Sequence, residues 1–368
     1  MGFAEGSHTI IGLLRARYVD RYDPCGRRRC AADHTTAMTV TVLLSLGPSD
    51  GTTTYVTQLV EGKAPGTRYL YFSWYAALFG RYDVFHVHWP EHLLRARNPF
   101  TQVCRRALFR LLLLRLRWTR TAVVRTEHNR APHESGDTEE SALTARLDTC
   151  TTLHICLNPT AVRRPGISVT IPLGHYRDRY EAPSGAQAER GRLLFFGYIR
   201  PYKGIDRLID AFSRAADPDL RLRLVGKPID VGLRHAVERA CAKDPRISAR
   251  LEFVPDDALA QEVCSAELVV LPIHEMHNSG TVLLALSLCR PVLVPRSPAN
   301  ELLCAEVGPG WMHLYDGDLS PQVLMDGLSA ARAGIGLPEP RFEGRDWLSI
   351  GQRHYEAYVR ARRDLARR

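Results

Sequence analysis

The residues most able to do chemistry lie in Phe195-Phe196-Gly197-Tyr198-Ile199-Arg200-Pro201-Tyr202-Lys203-Gly204, an apolar strand that runs into a glycine turn and two cations before a helix. An anion needs backbone N–H groups and positive charge converging on one point, and a strand, turn and helix with Arg200 and Lys203 in the turn offers both. Phosphate is the ligand this chemistry suggests first. Taken alone, the segment reads equally well as a strand end with two solvated cations. A second segment, 268–283, breaks the tie: an apolar strand leads through a polar loop to Asn278-Ser279-Gly280-Thr281, which opens an apolar helix. Small hydroxyl residues and glycine at a helix start leave N–H groups facing outward, and Ser279 and Thr281 can donate as well. Together the two loops form the pattern of a cradle for a nucleotide diphosphate.

The first half of the chain carries a separate group of ionisable residues. Ligands of open α/β sheets bind beyond the carboxyl ends of the strands. Beyond the apolar run 123–126 comes Glu127-His128-Asn129-Arg130-Ala131-Pro132-His133-Glu134. A histidine there can take a proton from an acceptor hydroxyl near neutral pH; the competing reading is a histidine that caps a turn. An earlier strand ends in His86-Val87-His88-Trp89-Pro90-Glu91-His92, whose alternate histidines share one face. Without cysteines or paired carboxylates nearby, a metal site is not expected there. His88, Trp89 and Glu91, with Asn129, are expected to line an acceptor site instead. Asp217-Pro218-Asp219 and Asp316-Gly317-Asp318 have the spacing of a metal-binding pair but the composition of turns. The expectation is therefore no obligatory metal and no cofactor. Gly51 and Thr52, in the 47–54 loop, read either as a second phosphate-like element on the acceptor side or as an ordinary turn, since glycine, serine and threonine dominate both.

The order Phe-Gly-x-Ile-Arg-Pro-Tyr-Lys-Gly, then Val-Gly-Lys-Pro at 225–228, then Asn-Ser-Gly-Thr followed by Leu-Ser-Leu-Cys-Arg-Pro-Val-Leu-Val at 286–294, resembles the C-terminal half of GT-B glycosyltransferases. The resemblance implies two Rossmann-like doubly wound α/β domains facing a cleft. It places Arg200 and Lys203 on the donor diphosphate and Gly197, Gly226, Lys227, Asn278, Ser279, Gly280 and Thr281 around the donor. A histidine after the corresponding strand lies near the transferred sugar in such enzymes, which gives that place to His128. Many retaining members have two glutamates eight positions apart in this region. Glu275 stands at the first position and Leu283 at the second, which leaves retention or inversion open. Glu301, opening a helix after 296–300, is expected at the donor ribose or sugar, with helix capping as the alternative. The similarity extends to bacterial mannosyltransferase-like enzymes of exopolysaccharide and glycolipid assembly. It points to GDP-mannose as donor and to a glycan, glycolipid or small molecule as acceptor.

These residues need two sheets to position them, and 368 residues suffice for two α/β domains. Apolar runs at 39–46, 84–89, 123–126 and 153–157 predict one parallel sheet, and runs at 193–197, 220–226, 251–254, 268–272 and 292–294 a second. The expected organisation is a leader that is disordered or mis-assigned over 1–37, an acceptor-binding domain over 38–172, a linker rich in Gly, Pro and Arg over 173–191, and a nucleotide-sugar-binding domain over 192–345. A final helix over 346–368 would pack back on the first domain. No run approaches the roughly 18 apolar residues that span a bilayer, and the start does not read as a signal peptide, so a cytoplasmic enzyme is expected. Nine cysteines, an odd number scattered through apolar segments, suit reduced thiols. The net charge of +9 suits anionic partners. Nucleic acid would require aromatics interleaved with a basic stripe or a recognised module, and neither is found. A nucleotide-sugar enzyme of similar topology, such as an epimerase or phosphorylase, is the other alternative. Residues 105–120 combine six arginines with leucines and a tryptophan. Such a helix can lie on an anionic membrane, which would imply a lipid-linked acceptor, or pack in a core with arginines at its solvent edge.

Overall fold

The computed structural model describes residues 39–48, 54–128, 136–160, 167–185, 187–273, 278, 280–334 and 336–367. The expected leader over 1–37 lies outside these residues, as do the site candidates Gly51, Thr52, Asn129, Glu275 and Ser279.

The described residues form two parallel sheets. The first contains β1 (Val40–Leu44), β2 (Thr67–Leu70), β3 (Val84–Val87), β4 (Ala122–Glu127), β5 (Leu153–Cys156) and β6 (Ile167–Thr170), in the order β2-β1-β3-β4-β5-β6. The second contains β7 (Arg192–Phe196), β8 (Arg221–Val225), β9 (Ile247–Arg250), β10 (Leu268–Val270), β11 (Val292–Pro295) and β12 (Met312–Tyr315), in the order β12-β11-β10-β7-β8-β9. The inner strands β3, β5, β10 and β11 are buried at every residue because helices cover both faces of a parallel sheet. Strand order reverses between β1 and β3 in one sheet and between β7 and β10 in the other. Helices leave in opposite directions at such a point, so a crevice opens beyond the carboxyl ends of the two strands.

Two differences from the sequence reading concern the second sheet. Its β9 edge is Ile247–Arg250, paired from Leu222↔Ile247 to Val225↔Arg250, and 251–254 runs on past the sheet as irregular chain. The apolar Leu251, Phe253 and Val254 are why the run reads as a strand in the sequence. Residues 173–191, expected to be a linker, belong to the compact unit Leu173–Asp346, which also takes Asn158–Thr160. Tyr176 and Tyr180 are buried in that unit; the Tyr180 hydroxyl donates to Asp256 at 2.9 Å, and Arg179 pairs with the same carboxylate at 2.7 Å.

The other unit carries the first sheet and ends with Trp347–Arg368. The Trp347–Ala366 helix buries Trp347, Ile350, Gly351, His354, Tyr358 and Ala361, a helical stripe that packs on β1 and β4 and on the Thr54–Glu61 helix. Its approach is set by backbone: a Cβ on Gly351 would run into the carbonyl oxygen of Gly62. Gly351→Leu is therefore expected to push this helix off the sheet, costing roughly 2–4 kcal/mol and about 5 °C or more of melting temperature. An unchanged melting temperature would show that the helix has room to move.

Candidate active site

In the second unit the crevice at the β7–β10 reversal is built from the two loops singled out by their chemistry. After β7 the chain turns at Gly197 (φ +102°), forms a 3-10 turn over Pro201–Lys203 and enters the Ile205–Ser213 helix. After β10 it reaches the Gly280–Ser287 helix. A Cβ added to Gly197 would stand 3.2 Å from Lys203 Nζ and 3.7 Å from Thr281 Oγ1, so the ammonium of one loop and the hydroxyl of the other converge above this glycine. Gly226 (φ +146°) lies against the Gly197 carbonyl so closely that no side chain fits between them. Ile199 N–H donates to the Lys227 carbonyl at 3.0 Å, which holds the two turns together.

Lys203 is partly buried, and its ammonium is pushed down to about 8, first by loss of water and then by repulsion from Arg200. Among the described residues no carboxylate pairs with Arg200 or Lys203. Arg200 lies over the Tyr198 ring, 5.9 Å from its centroid. Next to the turn is a slot of about 100 Å³ lined by Gly197, Tyr198, Val225, Gly226, Lys227, Glu252, Phe253, Val254 and Leu259. Its walls are mostly apolar, and Glu252, one of the residues lining it, is paired to Arg250 at 2.7 Å. Gly280 stands against the Tyr176 hydroxyl, and Asn278 accepts from Asn158 at 2.8 Å. Glu301 lies beyond β11 in the Pro298–Val307 helix, which Ser297 caps, and pairs with Arg296 at 3.2 Å. Leu283 is buried in the Gly280–Ser287 helix.

In the first unit the β1–β3 reversal gathers histidines. His88 and Trp89 follow β3 and His128 follows β4. His88 Nδ1 lies 3.0 Å from His128 Nε2, and the Trp89 ring stacks on His128 with centroids 4.0 Å apart. Tyr55 meets His128 edge-on at 5.1 Å. Behind them His86 places Nδ1 2.9 Å from the Tyr358 hydroxyl and Nε2 2.8 Å from Thr126 Oγ1, while His354 Nε2 is 3.3 Å from the Tyr55 hydroxyl. Burial is the main reason all four imidazoles resist protonation: His86 and His88 titrate well below the ordinary range, His354 at about 4 and His128 at about 3. Each is neutral at pH 7. His88 Nε2 is buried with no hydrogen-bond partner among the described residues, whereas His128 is partly exposed. Glu127 is held by His154 at 3.0 Å and Arg125 at 3.3 Å. Glu91 opens the short Glu91–Leu94 helix and is also partly exposed. The sequence reading missed Tyr55, His354 and Tyr358, which come from two helices; His354 and Tyr358 do sit on the apolar stripe of the last helix, and that is the one signal that could have found them.

The family model described as glycosyl transferases group 1 matches residues 190–318, the stretch that contains both loops of the β7–β10 crevice. Over 323 residues, 88% of this chain and 93% of the relative, the sequence is 46% identical to a GDP-mannose:glycolipid 4-beta-D-mannosyltransferase of Xanthomonas campestris pv. campestris. The chain belongs to the glycosyltransferase family of that mannosyltransferase. Solved structures agree on the fold of this glycosyltransferase, which is GT-B. The Anabaena protein HepE in complex with UDP and glucose aligns over 89% of this chain and 98% of its own, with a TM-score of 0.57 at 14% identity. Sucrose-phosphate synthase of Thermosynechococcus elongatus aligns over 88% and 94%, with a TM-score of 0.56 at 15% identity. No described helix of the glycosyltransferase is long and apolar enough to cross a membrane.

Proposed function

We propose that this glycosyltransferase moves mannose from GDP-mannose to a glycolipid with inversion at the anomeric carbon, the unit Leu173–Asp346 holding the donor and the other unit the acceptor. The observation that carries the reading is Lys203, a partly buried cation beside Arg200 and Thr281 with no acidic partner among the described residues. A diphosphate would pair with both cations. Its oxygens gain charge as the sugar leaves, so Arg200, Lys203 and Thr281 stabilise the transition state more than the ground state. The slot beside Gly197, with mostly apolar walls, suits a planar base. The 46% identity to an enzyme named for GDP-mannose and a glycolipid supports donor and acceptor class together.

GDP-mannose carries its sugar in the α configuration, so a β product, as in that relative's name, requires attack from the opposite face. The acceptor oxygen bonds to the anomeric carbon while the bond to phosphate breaks, and the hydroxyl proton must go to a base. His128 takes that part in our reading. It is neutral at working pH and partly exposed, and His88 Nδ1, 3.0 Å from its Nε2, fixes the orientation of the ring. A buried leucine at 283, where many retaining enzymes have glutamate, is in keeping with inversion. The cytoplasm, where nucleotide sugars are available, is the compartment this reading requires, and the described cysteines are all free thiols.

A thermal-shift panel of GDP, UDP and ADP tests the donor. GDP at a hundred times its Kd should stabilise the protein by about 2.7 kcal/mol, with little shift from the others. Incubation with GDP-mannose and a glycolipid should then yield a β-linked mannoside by NMR. A shift with UDP in place of GDP would overturn the donor assignment, and an α-linked product would overturn inversion.

A further inference from the structure

The Pro99–Trp118 helix buries Phe109, Leu112, Leu113 and Leu116 but leaves Phe100, Val103, Leu111, Leu114 and Trp118 in solvent, Trp118 at 90% exposure. With Ala107, also exposed, these side chains recur every three or four residues and fall within about 80° of the helix circumference. They make a narrow apolar ridge about 30 Å long. Tyr75 and Phe79, on the Trp74–Phe79 helix packed beside it, are exposed as well. A ridge of this length in water is costly unless something covers it.

Charge selects the cover. Residues 95–120 contain eight arginines and no acidic residue. Arg95, Arg106 and Arg110 are tied to Glu140, Asp137 and Glu139 on the neighbouring helix and its cap, and Arg115 to Tyr82 and Gly80. Arg97, Arg117 and Arg120 are exposed around the ends of the ridge. A second copy packed by a two-fold axis would bring arginine-bordered ridges face to face and repel. A bilayer with anionic lipid accepts both features, the apolar stripe below the headgroups and the guanidiniums among the phosphates. Tryptophan at the end of the ridge suits the same boundary.

We propose that this ridge is a membrane-docking surface, on which the helix lies in the plane of an anionic bilayer. For its purpose the proposal rests on the glycolipid reading, since docking brings the enzyme to an acceptor held in the membrane; its geometry is independent of that reading.

The test is flotation of the full chain with vesicles of phosphatidylcholine containing about one third phosphatidylglycerol, against phosphatidylcholine alone. The protein should float with the anionic vesicles, and Leu111→Glu/Leu114→Glu should lower its partition at least about tenfold. Arg97→Glu and Arg117→Glu should each lower it about fivefold and weaken its dependence on salt. Both positions of the double variant are exposed, so its melting temperature and its GDP-induced shift should match the parent. Flotation of the double variant equal to the parent, or no flotation of the parent, would overturn the proposal. So would light scattering that shows a parent dimer turned monomeric by the substitutions, with flotation unaltered. Flotation as expected with no GDP shift in the parent would sink the donor assignment and leave the docking surface standing.

Discussion

Lys203→Met is expected to lower kcat/KM for the nucleotide sugar about 10²- to 10³-fold and to abolish the thermal shift given by GDP, while leaving the unliganded melting temperature unchanged or raised. The size follows from removing a preorganised cation from the position where charge develops on a leaving group. The unchanged stability follows from the surroundings of the ammonium. Loss of water and the nearby Arg200 already hold it down to about 8, so the folded protein gains nothing from that charge until an anion arrives. A lysine kept for an internal ion pair would behave oppositely, because its removal would strand a carboxylate and lower the melting point. The same reasoning sets a pH dependence. In the free enzyme Lys203 loses its proton as pH rises through about 8, whereas a bound diphosphate holds it protonated to higher pH. Donor binding above pH 8 must therefore take up a proton, and Kd should rise toward tenfold per pH unit in the parent and stay flat in Lys203→Met. Kinetics and calorimetry over pH 7–9.5 check both statements. A variant with parental kcat/KM would remove Lys203 from the site.

What the sequence conveyed about this fold depended on where each strand lies in its sheet. The inner strands carry runs buried at nearly every residue, as β3, β5 and β10 do, and such runs stand out without any periodicity. The strands that escaped notice or were misplaced are the four edges. β2, β6 and β12 each expose part of their length, and β9, with Ser248 and Arg250 along it, was displaced onto the more apolar residues 251–254. An edge strand meets one neighbour and solvent, so its composition need not be apolar. The site divides in a similar way. The β7 turn was legible because Gly197, Arg200 and Lys203 follow one another within a single connection, and the topology then explains why a loop some 75 residues later joins it: β10 lies beside β7. The slot beside Gly197 escaped because its Glu252 and Phe253 were assigned to a strand. The histidine cluster is the extreme case, since His86 and Tyr358 meet at 2.9 Å across 272 residues of chain. Nothing local to either residue encodes that meeting, which depends on the last helix lying against β1 and β4.

The same cluster makes acid the condition to which this fold should be most sensitive. His86, His88 and His354 are buried, and His128 is partly so; all four titrate below the ordinary histidine range, His354 at about 4 and His128 at about 3. An unfolded histidine protonates near pH 6.5, so between that value and the folded ones the unfolded chain binds more protons than the native protein. Stability is therefore complete above about pH 6.5 and falls as pH drops, by about 1.4 kcal/mol per pH unit for each histidine that stays neutral in the fold. At pH 5 the loss is about 2 kcal/mol each, so the group together removes roughly 4–8 kcal/mol, a large share of the 5–15 kcal/mol typical of a domain. Carboxylates held low by arginine, such as Glu267 beside Arg332 and Asp244 beside Arg246, act in a separate window, because the unfolded chain protonates them only near pH 4. Melting temperature measured from pH 8 to 4 should thus be level to about pH 6.5 and then fall steeply, well before the carboxylates titrate. His354→Gln, which keeps a polar group beside the Tyr55 hydroxyl but cannot take a proton, should make that fall shallower by about one histidine's worth. A melting temperature that held steady down to pH 5 would mean that the cluster accepts protons in the folded state and that the burial described above does not exclude them.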